Sequence, residues 1–234
     1  MACDAASSLD AYASASLDAE QLHALTNLTS LLPGKQQSPP DRELVWRALK
    51  TRCKQGARFL VFGRGMDSDF WAHTMNANGL TVFLEATPAW ATGDPTLTTH
   101  LVRYHTAPLR QWNTLLSKRD MPFPANLTSR LRIDGVPRGL FEQWWDLILI
   151  DAPVGVLPYH PGRLAPIYQS AQIIARQRKQ RPCAPVDVFV HDFNRWTERE
   201  AGLRFLLPHA RLINDDVREA LHASSRTMAW FHAP

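Results

Sequence analysis

The chain has 234 residues, 45% of them hydrophobic and 21% charged, which suits one large domain, or one domain with a tail. That length buries a core without disulfide or metal staples. A net charge of +4 suits an acidic ligand but is too small to argue for nucleic acid.

No run approaches the roughly 18 apolar residues that span a bilayer, so a soluble chain with no membrane span is expected. The N-terminus carries Asp4, Asp10, Asp18 and Glu20 and has no basic start, unlike a secretory signal. Cys3, Cys53 and Cys183 are widely spaced and form no CxxC or Cys/His cluster. The expectation is three unpaired thiols and no metal site.

Residues 1–40 read as a flexible tail and linker, ending in the polar, turn-rich stretch Pro33 to Pro40. Residues 41–234 read as the folded domain. Asp41 is placed to cap a helix through Leu44, Val45 and Leu49. Arg58 to Phe62 is a short apolar run stopped by Gly63, as in a central strand. A helix follows over Ser68 to Met75, then strands over Leu80 to Leu84 and His100 to Tyr104. Residues 108–144, interrupted by Pro122, Pro124 and Pro137, read as an irregular insertion. Leu147 to Ile150 is too apolar for a sheet wet on one face. Leu164, Ile167, Tyr168, Ala171, Ile174 and Ala175 fall at helical spacing, and the basic run Arg176 to Arg181 suits the solvated C-terminal end of that helix. Val186 to Val190 and Thr227 to Phe231 complete the strands. Alternating strands and helices predict a Rossmann-like, doubly wound α/β fold, its mostly parallel sheet covered by helices on both faces.

Ligands of such sheets bind beyond the carboxyl ends of the strands. The first strand ends in Gly63-Arg64-Gly65-Met66-Asp67-Ser68, a turn that brings backbone close to a ligand. A dinucleotide fingerprint would have glycine where Ser68 stands. Glu85 ends the second strand about 20 residues on, where a carboxylate accepts ribose hydroxyls. Together they point to an adenosine-containing ligand, with S-adenosylmethionine favoured over NAD. The fourth strand ends in Asp151, and the fifth in His191-Asp192-Phe193-Asn194-Arg195, a convergence of titratable groups. Asp146 starts the fourth strand at the other edge and reads as a structural turn residue. Trp71 and Trp90 read as packing residues, with contact to an adenine as the alternative.

In this order, Phe59 to Ser68, Thr81 to Glu85, Trp145 to Pro153, Pro161 to Arg163 with Ile167-Tyr168, and Asp187 to Asp192 resemble the glucuronoxylan 4-O-methyltransferase family of plants, which includes the irregular-xylem polysaccharide-biosynthesis proteins. The chain departs from that pattern at Met66, Ala86 and Thr87. The resemblance implies a Rossmann-like methyltransferase using S-adenosyl-L-methionine. It also implies an acidic glycan or uronate-bearing acceptor, methylated at O4 of glucuronic acid on xylan or at a related sugar. Location in the Golgi follows by resemblance, and a cytoplasmic chain is the alternative because no anchor is seen. Asn27 and Asn126 begin Asn-x-Thr sites suited to a lumen.

On this reading His191 or Asp192 accepts the hydroxyl proton, and Asp151 orients the base and meets the cofactor. Gly63, Gly65, Asp67, Ser68 and Glu85 hold the cofactor. Arg163, Arg195 and Tyr168 bind the acceptor, with Arg163 above the site as a fork for a uronate carboxylate. An NAD-dependent oxidoreductase, a non-catalytic accessory protein of polysaccharide assembly and a nucleic-acid methyltransferase are the alternatives.

Overall fold

A computed structural model describes residues 37–52, 56–105, 112, 116–117, 126–213 and 228–234. Most of the expected tail, Cys3, Cys53, Asn27, Thr227 and much of the expected insertion lie outside the described residues.

Helix α1 (Pro39–Arg52) opens one turn earlier than expected. Ser38, not Asp41, precedes it, and the Ser38 carbonyl accepts the N–H groups of Asp41 and Arg42, each at 3.1 Å. Proline at the first position suits a helix start, where its missing N–H would have no partner anyway. Asp41 instead ties the helix to the sheet, its Oδ1 accepting the N–H of Met228 at 3.0 Å.

The main sheet has seven strands. They are β1 (Arg58–Phe62), β2 (Leu80–Glu85), β3 (Thr99–Leu101), β6 (Leu147–Ile150), β7 (Val186–Val190), β8 (Arg211–Leu212) and β9 (Ala229–Ala233). Their order is β3-β2-β1-β6-β7-β9-β8. β1, β2, β3, β6 and β7 run parallel, and β9 is antiparallel to both β7 and β8. The sheet reverses direction of growth at β1 and β6, which makes the crevice there the switch point of the fold.

Alternate strand residues face opposite ways. Leu60, Phe62, Val82, Leu84, Ile148, Ile150 and Val188 join one core. Phe59, Val61, Phe83, Leu147, Leu149 and Phe189 join the other. Each such side chain contributes about 1.5–3 kcal/mol on burial, and the apolar content of both faces explains why helices cover both. The second core includes Val45 and Leu49 of α1 and Phe70 and Trp71 of the π-helical segment Phe70–Met75. The first takes the apolar stripe of the long helix Leu164–Gln180 and side chains of Trp196–Ala201 and Gly202–Leu206.

Three expectations are corrected here. The expected strand over His100 to Tyr104 is two elements: β3 ends at Leu101, and β4 (Arg103–Tyr104) pairs antiparallel with β5 (Ile133–Asp134) in a second sheet. The split occurs because Val102 still donates to the Glu85 carbonyl, at 2.8 Å, while Gly135 packs so tightly on Leu101 that a Cβ there would lie 2.4 Å from its carbonyl oxygen. The last strand lies two residues later than expected, since the N–H of Met228 goes to Asp41 and pairing starts with Ala229 opposite Val190. Finally, Cys183 is disulfide-bonded, against the expectation of three unpaired thiols. Wide spacing carries no signal for a bond set by proximity in the fold.

The described part of the expected insertion is not peripheral, because Leu127, Leu131, Ile133 and Leu140 belong to the first core. Nor is the basic end of the long helix simply solvated. Arg176 donates to the carbonyls of Phe141, Glu142 and Gln143, and Arg181 lies over the Trp144 ring.

Asp146 is structural, as expected: its Oδ2 accepts the N–H of Arg58 at 2.7 Å at the amino edge of the sheet. A fully buried carboxylate, Asp187, accepts the Trp230 indole N–H and contacts His232 Nδ1, both at 2.7 Å, fixing β9 beside β7.

Candidate functional site

Register puts the site together. Phe62 pairs with both Leu84 and Ile150, and Ile150 pairs with Val190. The next residue on each strand therefore stands in one row at the carboxyl edge: Gly63, Glu85, Asp151 and His191. Beyond this row opens a cavity of about 910 Å³, a size that suits a cofactor with part of an acceptor. All the candidate residues except Tyr168 line it, as do Gln37, Trp71 and Trp90.

On the β1–β2 side the polar groups are held by backbone. Glu85 is buried; its Oε2 accepts the N–H of Arg64 at 2.7 Å and its Oε1 that of Thr87 at 2.6 Å. A carboxylate has about four lone-pair positions, so both oxygens keep capacity for a ligand hydroxyl. Gly63 has φ +109°, and a Cβ there would lie 2.7 Å from the Ala152 Cβ. This glycine is required by the close approach of the β1 and β6 ends.

The rest of the turn differs from expectation. Its N–H groups are spent internally: Gly63 donates to the Leu84 carbonyl, Gly65 to Ser68 Oγ at 2.9 Å, and Ser68 to the Gly65 carbonyl. With Arg64 committed to Glu85, little of this loop is left to cradle a pyrophosphate. Asp67 is buried, and its Oδ2 accepts the Trp71 indole N–H at 3.1 Å. Burial, then the nearby Asp151 carboxylate, pushes its pKa up, against the Trp71 hydrogen bond and the Arg42 charge.

On the β6–β7 side the groups are held by charge. Arg163, at the start of the long helix, is 4% exposed. One terminal nitrogen donates to the His191 carbonyl at 2.6 Å and to Asp192 Oδ2 at 2.5 Å. The other donates to the Asp151 carbonyl at 2.7 Å and to Asp151 Oδ1 at 3.1 Å. Arg163 is thus a buried clamp across two strand ends, which corrects the expectation of a free fork above the site. Arg195 is the more open cation, with one-third of its side chain exposed and its guanidinium 2.9 Å from Asp192 Oδ2. Asp192 has φ +57°, an uncommon conformation outside glycine, and its Oδ2 is committed to both arginines.

His191 Nδ1 lies 2.8 Å from Asp151 Oδ1 and 3.5 Å from Asp192 Oδ2. The first contact is an ion pair when the ring is protonated rather than an aligned hydrogen bond, since Nδ1 has no well-directed partner among the described residues. Burial opposes the imidazolium, but the Asp151 carboxylate, helped by Asp192, outweighs both burial and the Arg163 charge and raises the His191 pKa. Burial likewise pushes Asp151 up, yet His191, Arg163 and Gln37 together hold it below the usual carboxylate range.

Tyr168 is not brought to the cavity. Its hydroxyl lies 2.9 Å from Thr128 Oγ1 and its ring packs edge-on against Phe205. Trp71 is buried and Trp90 is 42% exposed, and both line the cavity wall. Sequence reading missed Gln37, whose Nε2 donates to Asp151 Oδ2 at 2.9 Å. Composition placed it in a linker, and no local signal marks it.

The fold and the row of polar groups at its switch point define a Rossmann-like α/β protein with a ligand crevice at the carboxyl edge. The family model IRX15/IRX15L/GXM matches residues 42–217. The chain belongs to that family, as the resemblance of its strand-end blocks indicates. It is 36% identical over 221 residues to Arabinogalactan O-methyltransferase 1 of Arabidopsis thaliana, covering 87% of this chain and 74% of that one. Glucuronoxylan 4-O-methyltransferase 1 of the same plant is 37% identical over 179 residues, covering 71% of this chain and 62% of that one. An O-methyltransferase from Bacillus cereus, solved in complex with SAH, aligns over 97% of this chain and 96% of that one, with 13% identity and a TM-score of 0.40. Among the described residues, no helix is long and apolar enough to cross a membrane.

Proposed function

We propose that this chain is an S-adenosylmethionine-dependent O-methyltransferase acting on a sugar hydroxyl of an acidic polysaccharide, with O4 of a glucuronic acid unit as the target. One observation carries the reading: the His191–Asp151 pair, a base with its orienting carboxylate, stands in the same row and cavity as Gly63 and Glu85. The internally satisfied glycine turn and the carboxylates of Asp67, Glu85 and Asp151 suit a cationic sulfonium ligand better than the pyrophosphate of NAD. When bound, S-adenosylmethionine supplies a methyl group already activated by positive sulfur. Glu85 would meet the ribose, and Gly63, Gly65, Asp67, Ser68 and Asp151 would line the rest of the cofactor site.

The chain's own task is alignment and proton removal. Alignment of reactants lowers a barrier by about 7–11 kcal/mol when geometry is good. A sugar hydroxyl is a weak nucleophile near neutral pH, so a positioned base adds about 10²–10⁴ in rate. Neutral His191 is that base, and the Asp151 carboxylate beside Nδ1 stabilises the imidazolium that forms when Nε2 takes the proton. Asp192, tied to two guanidiniums, positions cations rather than accepting the proton. In glucuronic acid the reacting oxygen and the carboxylate hang on neighbouring ring carbons, so the recognising cation must stand beside the base. Arg195, which lines the cavity and pairs with the same Asp192 oxygen that faces His191, suits that role; Arg163, committed to four acceptors, does not.

The Cys183 disulfide and the exposed Asn126 suit an oxidising, glycosylating lumen and support placement in the Golgi. The deciding experiment incubates the protein with methyl-labelled S-adenosylmethionine and a panel of glucuronoxylan, carboxyl-reduced glucuronoxylan, arabinogalactan and neutral xylan. Label is expected on the uronate-bearing polymers. Equal label on the carboxyl-reduced polymer would remove the uronate from the reading. Binding of cofactor without label on any glycan would favour an accessory role, and no binding would sink the methyltransferase.

A further inference from the structure

Gln37 stands two residues before α1, in a stretch whose prolines and polar residues read as linker. Yet it is 3% exposed and lines the cavity. Its side-chain N–H donates to Asp151 Oδ2, while Asp151 Oδ1 faces Arg163 and His191. The two carboxylate oxygens therefore have separate tasks, and the Gln37 bond stops the carboxylate from exchanging them. The other end of the same amide, Oε1, is enclosed and has no hydrogen-bond partner among the described residues. A buried polar atom left unpaired is costly, and an apolar side chain of similar length would avoid that cost. What glutamine supplies here and an apolar side chain does not is the hydrogen bond to Asp151.

We propose that Gln37 is a positioning residue for the proton-accepting histidine, acting through Asp151. The inference rests on the reading of His191 as base, and it extends the working site into the segment ahead of α1. Gln37 fixes the carboxylate, the carboxylate keeps its charge beside Nδ1, and Nε2 is left to take the acceptor proton. Without the amide the carboxylate turns toward Arg163, the stronger and permanently charged partner, and His191 loses its anion.

The test uses Gln37→Met, close to glutamine in length and free of polar hydrogen. In the ligand-free protein, NMR titration of the His191 ring should show its midpoint falling. Turnover should drop by about 10- to 100-fold, with KM for the methyl donor and the glycan unchanged. In an Asp151→Asn background, Gln37→Met should add nothing further, because both changes remove the same coupling. An unchanged His191 midpoint, or losses that simply add in the double variant, would overturn the inference. A lower melting temperature with an unmoved titration would show a merely structural glutamine. Full activity in His191→Gln would instead defeat the underlying base assignment, while the ring titration would still report whether Gln37 acts on Asp151 and His191.

Discussion

The two halves of the carboxyl edge satisfy their polar groups in different currencies. On the β1–β2 half, Glu85 and the glycine turn are held by main-chain N–H groups, which do not titrate. On the β6–β7 half, Asp151, Asp192, Arg163, Arg195 and His191 hold one another by charge. The first arrangement makes a fixed socket. The second makes a set of groups whose protonation can change during a reaction, which is what a base requires. A comparable cavity bound only by main-chain contacts would bind a ligand without doing proton chemistry.

The sharpest way to break this contrast is His191→Gln. It should lower turnover by about 10²–10⁴ while leaving the affinity for S-adenosylhomocysteine, measured by calorimetry, unchanged. Next comes Arg163→Met, which removes the clamp and leaves the half-buried Asp151 and Asp192 with only His191 and Arg195 as cationic partners among the described residues; chemical denaturation should show a loss of about 1–3 kcal/mol. On the socket side, Glu85→Gln should weaken S-adenosylhomocysteine by about 1–3 kcal/mol without moving the pH profile.

Asp151→Asn tests the titrating half. Removing that anion lowers the His191 pKa, so the acidic limb of the turnover profile should move to lower pH. In the parent protein, neutral His191 gains population as pH rises through its raised value, so activity climbs there. Stability runs the other way. The favourable imidazolium contribution is complete below the unfolded value of about 6.5 and is lost as pH rises through the folded one. Differential unfolding across that range checks the sign. The smallest effect belongs to Tyr168→Phe, which loses one half-exposed hydrogen bond to Thr128; about 1 kcal/mol or less of stability and no change in acceptor KM are expected.

Much of the architecture is legible in the chain because it follows from apolar runs of strand length. β1, β2, β6 and β7 and the long helix fall where periodicity puts them, and the sheet edge follows from where those runs stop. That is why Glu85, Asp151 and His191 are found from sequence. What sequence hides is set by distant contact. Arg163 reads as a loop cation because nothing nearby announces that two carbonyls and two carboxylates will enclose it. Gln37 meets Asp151 across 114 residues of sequence, from within a stretch whose composition suggests only a linker. Tyr168 shows the converse: it sits inside a block shared with the family, and the helix turns it toward Phe205 rather than the cavity.

The antiparallel insertion of β9 between β7 and β8 carries a consequence for how the site is completed. Until residues 229–233 slot in, β7 has an open flank, and the strand that delivers His191 is a border with unpaired main-chain groups. A chain cut short of Ala229 would therefore lose order first beneath His191, while the socket around Glu85, seated on the far half of the sheet, would keep both of its neighbours. Carboxyl-terminal nicking should thus separate an ability to retain the nucleoside from an ability to turn it over.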